Sequence, residues 1–199
     1  MIDVKFDLRD FERMARQLGA AADQVPFALA GALNDALFKT RTKLISETWP
    51  QHVTVRNAGF MRGALRIEKA TKGNLRGEIN SSGVGDRGHL RLHATGGIKR
   101  AQGALAIPDP AKVRRGAKGV SKNQRPRALP NSFRKGEVIY QRLVAKKRKT
   151  GGLRLMYVLK PQATIKKDVP FYEDFRRSMI AEVHAAFPGA MAKAMRTRR

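Results

Sequence analysis

Ile2, Val4 and Phe6 are separated by charged neighbours at the start of the chain, the period-two signature of a short strand. Helical spacing replaces it at Phe11, Met14, Ala15 and Leu18, with Asp7 or Asp10 as a cap and Gly19 as a terminator. The longest helical pattern follows. Asp23 stands at an N-cap position and Pro26 in the first turn, and the helix is predicted to reach Glu47. At 1.5 Å per residue that is about 33 Å. Phe27, Ala30, Leu33, Leu37, Phe38, Leu44 and Ile45 form its apolar stripe. Asn34, Asp35, Lys39, Arg41 and Lys43 take much of the other face. Trp49-Pro50 is expected to end it, because the residue before a proline disfavours the helical region.

Two short strands are predicted near Leu65–Ala70 and Leu75–Ser81, joined by a turn at Lys72-Gly73-Asn74. Periodicity is then weak over residues 82–136. From Ala111 to Gly136 there is no Asp or Glu, while Lys112, Arg114, Arg115, Lys118, Lys122, Arg125, Arg127, Arg134 and Lys135 alternate with Gly, Ser, Asn and Pro. Such a stretch buries too little apolar surface to offset its ordering entropy. Residues 82–136 are therefore predicted to be an extended basic loop or arm, ordered only against a partner. A hairpin follows, with Val138, Ile139, Tyr140, Leu143 and Val144 on one strand and Leu153 to Leu159 on the next. Its connection carries Lys146, Lys147, Arg148 and Lys149 and ends Thr150-Gly151-Gly152, as an exposed tip would. Pro161 is expected to close the second strand. The last element is a helix from Val169 or Pro170, in which Phe171, Phe175, Met179, Val183 and Phe187 step by four. Pro188-Gly189 is expected to stop it, leaving 190–199 as a basic tail.

Charge changes this picture more than any other property. The 199 residues carry a formal net charge of +25, and a chain of this length suits a single domain. Residues 87–167 hold 22 Lys and Arg against 2 acids, whereas the flanking segments are near balance. The concentration implies an acidic partner, either nucleic acid or an acidic protein surface. There is no cysteine, which excludes disulfides, thiolate catalysis and cysteine-ligated zinc. No run approaches the roughly 18 apolar residues that span a bilayer, and Met1 to Lys5 lacks the pattern of a secretory signal. A soluble cytoplasmic protein is expected.

Candidate chemistry is thin. Gly83, Gly85 and Gly88 satisfy G-x-G-x-x-G, but the following His89-Leu90-Arg91-Leu92-His93 alternates like a strand, so the glycines read as turn residues. His89 and His93 have the spacing of a metal pair, yet only His52, His184 and the nearby Asp86 remain to complete a site. Asp109, between Pro108 and Pro110, reads as a turn residue, and Asp109 and Glu137 supply no paired carboxylates for a nuclease. No serine lies in a nucleophile-elbow context. No catalytic residue, cofactor or metal is assigned.

The order of several segments carries a resemblance. These are Ala32-Leu33-Asn34-Asp35-Ala36-Leu37 ahead of Lys39-Thr40-Arg41, and His93-Ala94-Thr95-Gly96-Gly97 followed by Leu105-Ala106-Ile107-Pro108. Leu155-Met156-Tyr157-Val158-Leu159 with Pro161 comes next, then the phenylalanine-bearing C-terminal helix. Over nearly the whole chain the arrangement resembles phage minor tail protein Z and related tail-completion proteins. The resemblance implies an α+β fold, an antiparallel sheet packed by a long N-terminal-half helix and a C-terminal helix, with a long basic loop. It also implies a structural virion protein of the tail or neck, assembled in the bacterial host cytoplasm. Such a protein forms a ring of copies, a hexamer by expectation, at the head-proximal end. Its partners would be itself, tail terminator and head-completion proteins, and phage DNA in the channel, with no membrane and no catalysis. The contact candidates are the nine basic residues between Lys112 and Lys135 together with Lys146, Lys147, Arg148 and Lys149. Aromatics are few within this run, so bases lack stacking platforms and acidic protein surfaces are expected to meet most of the charge. Two alternatives have other signatures: a general nucleic-acid-binding protein using the basic middle, and a metal-dependent hydrolase using His89, His93 and Asp86.

Overall fold

The computed structural model describes residues 7–17, 19, 22–87, 89–145 and 151–197. The strand expected at Ile2 to Phe6, Leu18 of the first helical pattern and the four basic residues Lys146 to Lys149 lie outside them. The chain is α+β and every sheet is antiparallel. Length alone suggests one domain, but the chain forms two compact units. One comprises Met1–Thr54, Gly59–Ala94 and Asp168–Arg199; the other comprises Val55–Ala58 and Thr95–Lys167.

The first unit is built on helices. Helix α1 (Leu8–Gln17) buries Phe11 and Ala15, and the Asp7 carboxylate accepts from the Arg9 amide at its start. Gly19, at φ +65°, supplies the left-handed residue just past the helix. Helix α2 (Val25–Lys43) begins one residue after Gln24, with Pro26 in its first turn; Asp23 is not its cap. It is not a one-stripe helix. Alanines and leucines from Ala28 to Leu37 are buried together with Val25 and Thr40, while Phe27 and Phe38 are each 48 % exposed. Neighbours cover α2 on several sides, so small residues serve close packing where a single stripe would not. Its polar residues are also engaged. Asn34 donates to the Ala70 carbonyl at 2.9 Å and accepts from the Ala70 amide at 2.8 Å. Arg41 donates from Nε to the Leu65 carbonyl at 2.9 Å.

Trp49-Pro50 does not end the helical path. A π-turn, Leu44–Thr48, widens the coil by one residue, and α3 (Trp49–His52) continues from it with Pro50 in its first turn. Proline lacks an amide hydrogen and presses on the carbonyl four residues back, and the wider turn relieves both demands. Helix α4 (Phe60–Ala64) leads into strand β1 (Leu65–Glu68), which pairs with β2 (Glu78–Ser81) in the register Leu65 to Ser81. Two short helices follow, α5 (Gly83–Arg87) and α6 (Leu90–Thr95).

The C-terminal helix α7 (Phe171–Arg196) begins where the four-residue step places it, but it passes through Pro188 rather than stopping there. Met179, Val183, Phe187, Met191 and Ala194 are all buried, and the last two lie beyond the proline. Burying Met191 and Ala194 among the side chains of α1 and α2 outweighs the lost helical hydrogen bond. Thr40 and Ser178, both buried, share a hydrogen bond of 2.9 Å between α2 and α7. The expected basic tail at 190–199 is thus mostly the last turns of this helix.

The second unit is a four-stranded sheet. In chain order its strands are β3 (Gly97–Pro108), then β6 (Ser132–Lys135), β7 (Val138–Leu143) and β8 (Gly152–Ile165), arranged β3-β8-β7-β6. Between β3 and β6 lies a small two-stranded ribbon, β4 (Arg115–Gly116) with β5 (Gly119–Val120). Strand β8 continues past Pro161, which has no cross-strand partner. Its register to β3 shifts there, from Lys160 opposite Leu105 to Gln162 opposite Arg100. A residue that cannot donate to the ladder is accommodated at an irregularity. Residues 82–136 are therefore not an irregular arm, since they supply two of the four sheet strands.

Candidate interaction surface

The acid-free stretch from Ala111 to Gly136 folds onto one face of the second unit's sheet. Asp109 starts it: its amide donates to the Met156 carbonyl at 2.9 Å, and its carboxylate accepts from the Ala111 amide at 2.8 Å. The turn so formed drives Val113 into a small core with Leu129, Met156 and Tyr157, and Ala106, Val120 and Ile139 pack around it. Tyr157 donates its hydroxyl to the Gln124 carbonyl at 2.6 Å. The expectation that this segment has no anchorage of its own fails on these residues. Val113 and Leu129 are spaced too irregularly to register as a pattern, yet both are buried against Met156 and Tyr157 of the sheet.

Burial raises the Tyr157 phenol above its usual value, with the positive charge of Arg115 pulling the other way. The fold thus favours the protonated phenol. Its contribution is complete below the unfolded value of about 10 and is lost as pH climbs through the higher folded value. Tyr157→Phe should cost about 1 kcal/mol at neutral pH through the missing hydrogen bond. The gap between the two proteins should narrow above pH ~10 in denaturant titrations. A constant gap would mean that the phenol does not ionise differently on folding.

The nine basic residues from Lys112 to Lys135 are all exposed. Arg114, Arg115 and Lys118 lie on or beside the β4–β5 ribbon, Lys122, Arg125 and Arg127 on the turns after it, and Arg134 and Lys135 on β6. Arg125 donates to the Val120 carbonyl and Arg134 to the Gly136 carbonyl. Among the described residues, none of the nine forms an ion pair with a carboxylate. From Thr95 to Lys167 the chain has 20 Lys and Arg against Asp109 and Glu137 alone. The unit is a folded cationic surface whose neutralising charges must come from elsewhere.

No family model, curated protein or solved structure matches the chain.

His89 takes a left-handed conformation, φ 57°, just ahead of α6, so 89–93 is a turn and helix rather than a strand. His93 shares its Nδ1 with both carboxylate oxygens of Asp168, at 2.9 and 3.0 Å, and lies edge-on to Trp49. Its carbonyl accepts from the Asp168 and Val169 amides, so this histidine ties α6 to the start of α7. Among the described residues no three His, Asp or Glu side chains converge on a metal position. Gly83 and Gly85 lie inside α5 rather than in a turn. A side chain at Gly85 would strike the Ser81 hydroxyl and the Ala64 carbonyl, so packing rather than phosphate binding requires that glycine. An open groove of about 410 Å³ between α2 and α7 is lined by Asp35, Phe38, Lys39 and small residues of α7. Lys39 is paired there with Glu182 at 2.9 Å. No helix among the described residues is long and apolar enough to cross a membrane.

Tyr140 was expected on the first strand of the hairpin, but Phe133 and its pairing with Tyr140 were not expected. The two face each other across β6 and β7 with ring centroids 5.8 Å apart, and the Arg142 guanidinium lies 5.0 Å from the Phe133 ring. The signal available was the two-residue turn Gly136-Glu137, flanked symmetrically by Phe-x-Lys and Val-x-Tyr.

Proposed function

We propose that the chain is a structural, non-enzymatic assembly protein of the phage tail-completion kind, acting at the head-proximal end of a tail. The observation that carries this reading is the segregation of charge between two folded units. Fourteen of the 16 Asp and Glu belong to the first unit, whereas the second exposes the nine basic side chains from Lys112 to Lys135, none of them paired with a carboxylate among the described residues. A molecule so divided can bring the basic unit of one copy against acidic groups of the next. Such a contact joins unlike patches and closes into a ring when the rotation allows. The order of segments that resembles tail-completion proteins supports the same reading and supplies the neighbours: tail terminator, head-completion protein and DNA in the channel.

In this role the cationic surface works by mass and geometry rather than by chemistry. It repels itself in the free chain and is neutralised on assembly, which favours the joined state. The test is genetic. A phage unable to make the chain should accumulate filled heads and unjoined tails, and supplying the chain should restore whole particles. Infectious particles made in normal number without it would overturn the proposal.

A further inference from the structure

The two faces of the second unit's sheet are unlike. One carries Ile139 and Tyr157 and is covered by the segment from Val113 to Leu129. The register places Phe133, Lys135, Tyr140, Arg142, Leu155 and Lys160 on the other: directly opposed residues share a face, and a bulge at Met156 breaks the alternation of β8 so that Leu155, opposite Tyr140, faces away from Tyr157, opposite Ile139. None of these six is buried. The face is half-buried and apolar at its centre, at Phe133, Tyr140 and Leu155, exposed and basic at Lys135, Arg142 and Lys160, and holds a stacked aromatic pair with a guanidinium over one ring. We propose that this face binds single-stranded nucleic acid. The inference goes beyond the assembly role and does not depend on it.

Each requirement for such a ligand is met by a named group. Unstacked bases need flat π surfaces; Phe133 is stacked on Tyr140 and has the Arg142 guanidinium over its ring, so it is the outer faces of this stack that bases would extend. The phosphodiester backbone needs cations that follow it. Lys135 and Lys160 lie on this face, in a unit with 20 Lys and Arg against two acids from Thr95 to Lys167. A duplex hides its base faces and would meet only the charge. A polyanion without rings, such as an acidic peptide, would also meet only the charge and leave the aromatic stack unused.

The test is fluorescence anisotropy on the full chain with a labelled thymidine oligonucleotide, a duplex of equal length, and polyglutamate as competitor. Binding to the single strand should be salt-sensitive and tighter than to the duplex. Phe133→Leu with Tyr140→Leu keeps apolar bulk but removes the π surfaces. It should weaken single-strand binding by roughly tenfold or more and leave duplex binding unchanged. A circular dichroism melt checks the fold of the double variant, and Arg142→Gln is the single change to use if that variant unfolds. Arg142→Gln should weaken single-strand binding more than duplex binding. The proposal is overturned if the single strand does not bind. It is also overturned if strand and duplex bind alike and lose equally in the variants, or if polyglutamate competes as well as the oligonucleotide does.

Discussion

Phe187→Ala should lower the stability of the protein by about 3–5 kcal/mol, the largest loss expected from any single substitution. Phe187 is fully buried, its ring meets Phe11 at 4.9 Å, and it lies in the core that joins α1, α2 and α7. Its position adds to the effect. Pro188 follows it inside the helix, where proline costs about 3 kcal/mol or more. The last two turns of α7 therefore stay helical because Phe187, Met191 and Ala194 are held in the core. Removing the ring opens a cavity and loosens that hold. Against the roughly 5–15 kcal/mol of an ordinary domain, the change is about a fifth or more of the total. Urea titration followed by circular dichroism measures it. A shift below 1 kcal/mol would mean that the end of α7 is not docked on α2.

The second large effect concerns partners rather than stability. Glutamine at Arg114, Arg115, Lys118 and Lys122 together should leave the melting behaviour almost unchanged, because all four side chains are exposed and none has a carboxylate partner among the described residues. Capture of an acidic partner should fall by tenfold or more, since charges that meet across an interface set both encounter rate and lifetime. Incorporation into particles is the readout, by immunoblot of purified virions. Equal incorporation of the quadruple variant and the natural chain would show that this part of the cationic surface faces only solvent. If the variant unfolds, these side chains brace the segment from Val113 to Leu129 and the surface reading of them is wrong.

The contrast between the two units shows what a sequence pattern carries. Phe171, Phe175, Met179, Val183 and Phe187 repeat every fourth residue on one long element, so the face they turn to the core and the start of α7 were legible from spacing alone. The β1–β2 pair and the β7–β8 hairpin were legible for the same reason, through period-two apolar residues around turn residues. Local rules failed where packing decided. Pro50 and Pro188 read as stops, but a π-turn accommodates the first and buried side chains beyond the second hold the helix together. Phe27 and Phe38 fit an apolar stripe, yet the helix is covered by its neighbours on other sides. In the middle, Val113 and Leu129 anchor a segment whose composition reads as disordered, because two well-placed apolar residues do not alter an average. The basic surface itself was legible residue by residue as charge. Its aromatic pair was not, because Phe133 and Tyr140 meet only through the pairing of β6 with β7.

The proposed place of the chain in the tail neck is tested most directly by electron microscopy of particles carrying a tagged copy. Gold label bound to the tag should form a ring at the junction of head and tail. Particles that are whole and infectious but carry no label there would contradict the account.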